Sequence, residues 1–386
     1  MTPSPRGTAR AVALATLVDV DGGARANAAL AGRLDASDLS RRDRAFTTEM
    51  VYGTLRMRRA CDWLVDRHAR GRRDPLVQAA LRLGAYQLAF MATPAHAAVS
   101  ATVSEVPGPG RRLVNAVLRR VAEQVAGGIV WPDAATRLSY PDWVVARLVA
   151  DLGEADAGAA LEEMNRPAAA TARPDGYLQD RASQMVAAHV GAAAGEVVVD
   201  LCAAPGGKAT AMAAAGATVV AVDVQPARAA LVAANARRLG AGGVVAVVAD
   251  ARRAPLVPGR ADRVLVDAPC SGLGVLRRRP DARWRVRPGD IPRLAALQRQ
   301  LVAAGAALTA PGGVLVYSVC TLTRAETAAL DRWASTALPH LQPLPPPGPP
   351  WRPAGRGALL LPQAAGTDGM FVLAFRVPAG APAAGR

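Results

Sequence analysis

The chain is short of lysine, of acidic residues and of aromatics, and these shortages narrow what it can be. Of its 46 basic residues only Lys208 is a lysine, and acidic residues number 31, which leaves a formal charge of +15 on 386 residues. That balance suits a polyanion, nucleic acid first. A genome rich in G and C explains arginine in place of lysine, but not the excess of base over acid. No apolar run reaches the ~20 residues of a membrane span; Asp200, Lys208, Asp223 and Gly-Pro pairs break the most apolar stretches. The first residues, MTPSPRGTAR, hold no hydrophobic region of the signal-peptide kind. A cytoplasmic monomer that meets no membrane is the expectation.

Cysteine is scarce too. Cys61, Cys202, Cys270 and Cys320 lie far apart, with no CxxC and no Cys/His cluster. Zinc-ligand spacing is absent, so no metal is expected, and a cytosolic chain of this kind has no disulfide framework. Each cysteine is therefore a core filler or a reactive thiol. Cys61, among apolar neighbours on a helix, reads as core.

What is present is ample apolar residue, 51% of the chain, and length enough for two or three domains of roughly 150 residues each. Only the Pro-rich stretch 339–353 and the tail after Val377 look unstructured. Residues 1–127 read as all-helical, with apolar residues at helical spacing in Ala11–Val20, Phe46–Leu55, Cys61–Val65, Leu76–Phe90 and Leu113–Val121. Arg41, Arg42, Arg44, Arg56, Arg58 and Arg59 gather there, and residues 1–130 carry 19 Arg against 11 acidic residues. A solvated helix face explains any one of these arginines; their sum favours an RNA- or DNA-facing surface. Residues 128–175 form a connector, with a helix over 142–164.

Beyond Tyr177 the texture changes to short apolar strands alternating with helices. Glu196–Leu201, Ala217–Val222, Val244–Val248, Arg263–Val266, Gly313–Val319 and Val372–Phe375 read as strands. Such a pattern predicts a parallel sheet covered on both faces, an α/β fold that binds ligands at the strands' carboxyl ends. The first strand runs into Cys202-Ala203-Ala204-Pro205-Gly206-Gly207-Lys208, a small-residue turn that lets backbone N–H groups approach a ligand at a helix N-terminus. It is neither GxGxxG nor a phosphate loop, although any tight strand–helix turn can need the same glycines. Asp223 ends the second strand 16 residues beyond Gly207, where a carboxylate can accept both ribose hydroxyls of an adenosine. Asp250 follows the third strand, within reach of the adenine edge. With no pyrophosphate cradle, these features describe S-adenosylmethionine. The fourth strand runs into Asp267-Ala268-Pro269-Cys270 and the fifth into Tyr317-Ser318-Val319-Cys320. Two thiols at adjacent strand ends are the candidates for chemistry; Cys202, inside the turn, reads as packing.

CAAPGGK, DAPCSGLG followed by RRRPDARW, and YSVC…E resemble the Nop/Sun family of RNA 5-methylcytosine methyltransferases. Leu178–Gln184 is similar to the family's VQDxASQ segment, and Gly366–Phe371 to its GTDGFF motif. VYGTLR, ALRLGAYQL, PAHAAV and RRLVNAVLRR resemble the NusB-like helical domain of the bacterial RsmB (Fmu/Sun) branch, which methylates 16S rRNA. The resemblance implies a Rossmann-like S-adenosylmethionine-dependent domain over 176–378, preceded by an RNA-binding NusB-like domain over 1–127; composition makes 379–386 a disordered tail. It implies Cys320 as the nucleophile that adds to cytosine carbon 6, Cys270 as its aid in release, and Asp267 on the cytosine edge, with Lys208 in the same catalytic set. Cys202–Gly207, Lys208, Asp223, Asp250 and Asp267 would line the cofactor. A free thiol is only about 3% ionised at pH 7, so the site must favour the thiolate or protonate the ring as it adds.

Three departures from the family pattern stand out. Ala209 replaces a threonine after the motif lysine, and Val319-Cys320-Thr321 replaces Thr-Cys-Ser. The stretch Arg173–Gln179 is too short for the RNA-recognition-like subdomain that members usually carry there. That last departure bears on substrate choice, and a tRNA cytosine methyltransferase or a non-catalytic ribosome assembly factor stays open beside the rRNA enzyme.

Overall fold

The structure, a computed structural model, describes residues 7–379 except Ala92 and Ala170. The tail 379–386 thus lies outside the described residues but for Ala379. Two compact units emerge: one runs to Ala146 and takes in Arg277–Arg285, the other comprises Arg147–Leu276 and the chain from Val286 onward.

The first unit is helical. Its helices span Ala9–Asp21, Ala26–Asp35, Arg41–Arg56, Arg58–Asp66, Pro75–Phe90, Ala95–Ser104 and Gly110–Ala126, with a short one at Ala134–Leu138. Their starts follow local chemistry. Thr8 accepts from the Ala11 N–H, Ser40 from Asp43 and Asp74 from Leu76, with Pro75 opening its helix; each such cap is worth about 1 kcal/mol. Leu14, Met50, Cys61, Leu64, Leu81, Leu83 and Leu118 pack into one core.

The arginine cluster needs correcting. Arg56 is buried, Arg58 lies over the Trp284 ring at 5.7 Å, and Arg59 donates to Thr136, the Tyr140 carbonyl and Asp142. Only Arg41 and Arg42 of the six stay exposed, Arg44 being tied to Asp35. The physical reason is twofold: residues 133–142 take up Arg59, and the excursion Arg277–Arg285 takes up Arg56 and Arg58. Trp284 Nε1 donates to the Leu55 carbonyl at 2.7 Å, and the fully buried Arg283 donates to the carbonyls of Arg56 and Ser139. These carbonyls include the C-terminal end of helix Arg41–Arg56, where a cation is favoured. The Arg283 guanidinium also stands 3.9 Å from the Tyr140 ring centre.

The second unit is a mixed α/β sheet. Its strands are β1 (Val197–Asp200), β2 (Thr218–Asp223), β3 (Val244–Val248), β4 (Ala261–Asp267), β5 (Thr309–Val319), β6 (Gln342–Pro343), β7 (Arg352–Ala354), β8 (Gly357–Leu360) and β9 (Met370–Arg376). The order is β3-β2-β1-β4-β5-β9-β8-β7, with β6 also on β9. The five strands β1 to β5 pair in parallel, as their continuous apolar runs predict. The wholly parallel reading fails at β9, which runs antiparallel to β5 and starts an antiparallel extension through β8 and β7. The Pro-rich stretch 339–353 is not loose either: Leu341 and Trp351 are buried, and β6 and the start of β7 fall within it. The connector holds two helices in place of one, Asp142–Leu152 and Glu154–Glu163, parted by Gly153 at φ 85°.

Candidate active site

Parallel strands bring their carboxyl ends to one edge, and β2, β1, β4 and β5 are consecutive in the sheet. Asp223, Asp200, Asp267 and Cys320 therefore form one row, with Asp267 opposite Ser318 in the register. The polar strand ends were legible from the sequence; the strand order that sets Asp200 between Asp223 and Asp267 was not.

The turn after β1 is tight and braced. The Ala203 N–H donates to Val222 and the Gly206 N–H to Ala203. Gly206 sits at φ 99°, before helix Gly207–Ala214. A Cβ on Gly207 would stand 2.8 Å from the Tyr177 ring and 3.0 Å from the Gln179 amide, so any larger residue would push the ring aside. The short stretch 171–179 supplies this roof. It folds back on itself, Arg173 N–H to Tyr177 and Gln179 N–H to Thr171 both at 2.9 Å, and the buried Arg173 guanidinium donates to the Gly207 carbonyl and to Thr210. The segment 178–184 also meets the 366–371 motif, as the Asp368 N–H donates to Asp180.

The carboxylates differ in what they can still do. Asp223 accepts from the Gln225 N–H and from Arg228, which also holds the Ala204 carbonyl. Asp250 caps the turn Ala251–Arg253, and hydrogen bonds from Arg252 hold it down to about 2. Asp200 is the exception. Both its oxygens are buried and have no hydrogen-bond partner among the described residues, and burial, aided by the charge of Asp267, pushes it up to about 8. A buried carboxyl group left this way is a receptor for a donor or a cation. S-adenosylmethionine, with an ammonium and a sulfonium centre, fits that requirement beside the glycine turn.

The reactive end is compact. The sulfur atoms of Cys270 and Cys320 lie 3.3 Å apart. Asp267 is held through both oxygens, by Lys208 Nζ at 2.7 Å and Ser318 Oγ at 2.6 Å. Burial works against the Lys208 ammonium, but the charge and hydrogen bond of Asp267 outweigh it and hold the lysine above its ordinary value, with Asp200 and Cys320 acting the same way. The hydrogen bond to Cys320 and burial push the Cys270 thiol well up. Burial also pushes up Cys202 and Cys61, which suits packing and not nucleophilic attack.

The family described as 16S rRNA methyltransferase RsmB/F matches residues 188–376, and the NusB family matches residues 7–123. A ribosomal RNA small subunit methyltransferase B of Thermus thermophilus is 39% identical over 404 residues, covering 96% of this chain and 98% of that protein. The chain belongs to the RsmB/F family of 16S rRNA methyltransferases. A putative methyltransferase of Mycobacterium tuberculosis is 37% identical over 461 residues, covering 97% of this chain and 99% of its own. The crystal structure of PH0851 shares the fold at a TM-score of 0.77 and 20% identity, covering 96% of this chain and all of that one.

Family membership makes the protein a methyltransferase of RNA with S-adenosylmethionine as methyl donor, built as a NusB helical domain followed by the α/β sheet domain. No helix among the described residues is long and apolar enough to cross a membrane. Sequence reasoning passed over Asp200 as a binding group, because a strand-end aspartate looks the same whether or not its oxygens find partners. It also passed over Ser318, Gln298 and Glu326, whose contacts cross between elements. The glutamate stood out only as a motif match.

Proposed function

We propose that this protein methylates carbon 5 of a cytosine in 16S rRNA through a covalent bond from Cys320 to carbon 6 of the base, in the cytoplasm. The observation that carries the reading is the thiol pair: two sulfurs 3.3 Å apart at the ends of β4 and β5, beside an Asp267 fixed by Lys208 and Ser318. The family description and the names of its relatives support rRNA as the substrate.

Bound S-adenosylmethionine supplies an electrophilic methyl group, which unaided cytosine carbon 5 is too weak to take. Cys320 as thiolate adds to carbon 6 and pushes an electron pair toward carbon 5. The Lys208 ammonium, coupled to the Cys320 charge, favours that thiolate. Asp267, its carboxylate oriented at both oxygens, accepts from the N4 amino group at the N3/N4 edge and holds the ring in place for attack. After methylation the carbon-5 proton leaves to a base and the bond from sulfur to carbon 6 breaks. Cys270, kept protonated, donates its S–H to the departing Cys320 sulfur. Turn residues Cys202–Gly207 and Asp200, Asp223 and Asp250 hold the donor.

The reading is tested by labelled methyl transfer to unmodified 16S rRNA and to unmodified tRNA, with the product base mapped. 5-Methylcytosine in the rRNA alone supports it; label in the tRNA alone, or on another base, overturns it.

A further inference from the structure

We propose that Glu326 is a positioning residue: its carboxylate clasps the two thiol-bearing loops together and biases the negative charge onto Cys320. The proposal rests on the assignment of Cys320 as nucleophile and Cys270 as its partner.

Glu326 is fully buried in the turn Arg324–Glu326, six residues after Cys320. Its Oε1 accepts the Ser271 backbone N–H at 2.8 Å and Gln298 Nε2 at 3.0 Å. Its Oε2 accepts Ser271 Oγ at 2.6 Å, Thr323 Oγ1 at 2.7 Å and Thr321 Oγ1 at 3.2 Å. Ser271 directly follows Cys270, and Thr321 directly follows Cys320. One carboxylate therefore grips the residue after each thiol. Gln298 uses its second amide hydrogen on the Pro269 carbonyl, the residue before Cys270, so that loop is held from both sides. Tyr317 Oη closes the arrangement on the Glu326 carbonyl at 2.8 Å.

All five donors to the carboxylate are neutral. They fix the group strongly, since hydrogen bonds to an ionised acceptor are the strong ones, but they leave its charge uncancelled by any ion pair. That charge is felt at Cys270, where it adds to the hydrogen bond that Cys270 donates to Cys320 and to burial in keeping the thiol protonated. The opposing charge, Lys208, is coupled to Cys320. The Glu326 charge thus works to keep Cys270 protonated, and the Lys208 charge works with a charge on Cys320.

The test compares the full-length protein with Glu326→Gln, which keeps the shape and removes the charge. Three quantities are read: S-adenosylmethionine affinity by calorimetry, iodoacetamide alkylation of each cysteine by peptide mass spectrometry, and methylation kinetics. Glu326→Gln should bind the donor as wild type does. Its Cys270-to-Cys320 alkylation ratio should rise by about tenfold, the effect of one unit of relative acidity. Its kcat should fall by roughly 100-fold, the cost of about 1 Å of misplacement, with KM for RNA little changed. A wild-type alkylation ratio or a wild-type kcat overturns the proposal. The double variant Ser271→Ala/Thr323→Val keeps the charge and removes two clasp donors. It should lose kcat while retaining the wild-type alkylation order, and it decides the clasp by itself where Glu326→Gln fails to bind the donor; unchanged kcat there overturns it. Cys320→Ala run alongside separates the two levels. Methylation by that variant sinks the thiol assignment, whereas an inactive Cys320→Ala beside a wild-type-like Glu326→Gln sinks the clasp alone.

Discussion

Lys208 and Ser318 reach the same carboxylate, Asp267, from different elements: the lysine from the helix after β1, the serine from β5 across a register that sets it opposite Asp267. The aspartate has one orientation as a result, and the two oxygens are equally engaged. Asp267→Asn retains the size but puts an amide where an oxygen now accepts. It should lower kcat by about 100-fold or more, as loss of one oriented electrostatic group does, while donor binding changes little. Single-turnover methylation with calorimetry beside it checks this; a kcat near wild type would remove Asp267 from the chemistry.

Asp200 gives a pH prediction. Raised to about 8 by burial, it carries a proton in the ligand-free protein at pH 7. A cationic ligand that pairs with it must expel that proton. S-adenosylmethionine binding should therefore release about one proton at pH 7, tighten as pH rises toward about 8, and level off above it. Asp200→Asn should abolish the release and weaken binding by about 1.5–3 kcal/mol, the worth of a hydrogen bond to a charged group. Calorimetry in buffers of different ionisation enthalpy reads the proton count directly. Equal release from both proteins would show that Asp200 does not meet the ligand.

Arg283 supports the helical unit from within. Fully buried, donating to two carbonyls and stacked on Tyr140, it leaves those acceptors stranded when removed. Arg283→Ala should cost roughly 2–6 kcal/mol, about 1–3 for each of the two stranded acceptors, read as a lower melting temperature. A melting curve matching wild type would mean the contacts contribute little.

RNA affinity should reside in exposed arginines. Arg112, Arg119 and Arg120 are exposed on helix Gly110–Ala126, spaced seven and eight residues apart and so on one face. If that face meets phosphates, replacing Arg112 and Arg119 by alanine should weaken RNA binding and flatten its salt dependence by about 0.7–0.9 per lost contact. Donor binding should not change. An unchanged salt slope would place the RNA surface elsewhere.

The parallel half of the sheet and its row of strand-end residues were legible because buried parallel strands write themselves as unbroken apolar runs, each closed by a polar residue. The antiparallel extension was not. β7 opens on Arg352-Pro353 and β8 on a glycine, so neither looks like a strand, and they are organised only by pairing, β8 on β9 and β7 on β8. The arginine cluster misled for a related reason: a guanidinium that caps a helix end or stacks on Trp284 is indistinguishable in sequence from one in solvent. Glu326 shows the limit best, since three of its five donors come from Ser271 and Gln298, far from it in the chain, and nothing in the sequence announces them.

The central claim is that Cys320 attacks and Cys270 aids release. The most direct measurement is a denaturing gel of each cysteine variant after incubation with substrate RNA and S-adenosylmethionine. Cys320→Ala should give neither methylation nor a slow-migrating adduct. Cys270→Ala should still attack and transfer the methyl group, and protein bonded to RNA should accumulate. An adduct trapped by Cys320→Ala and abolished by Cys270→Ala would reverse the assignment, and intact methylation in both variants would contradict a covalent mechanism altogether.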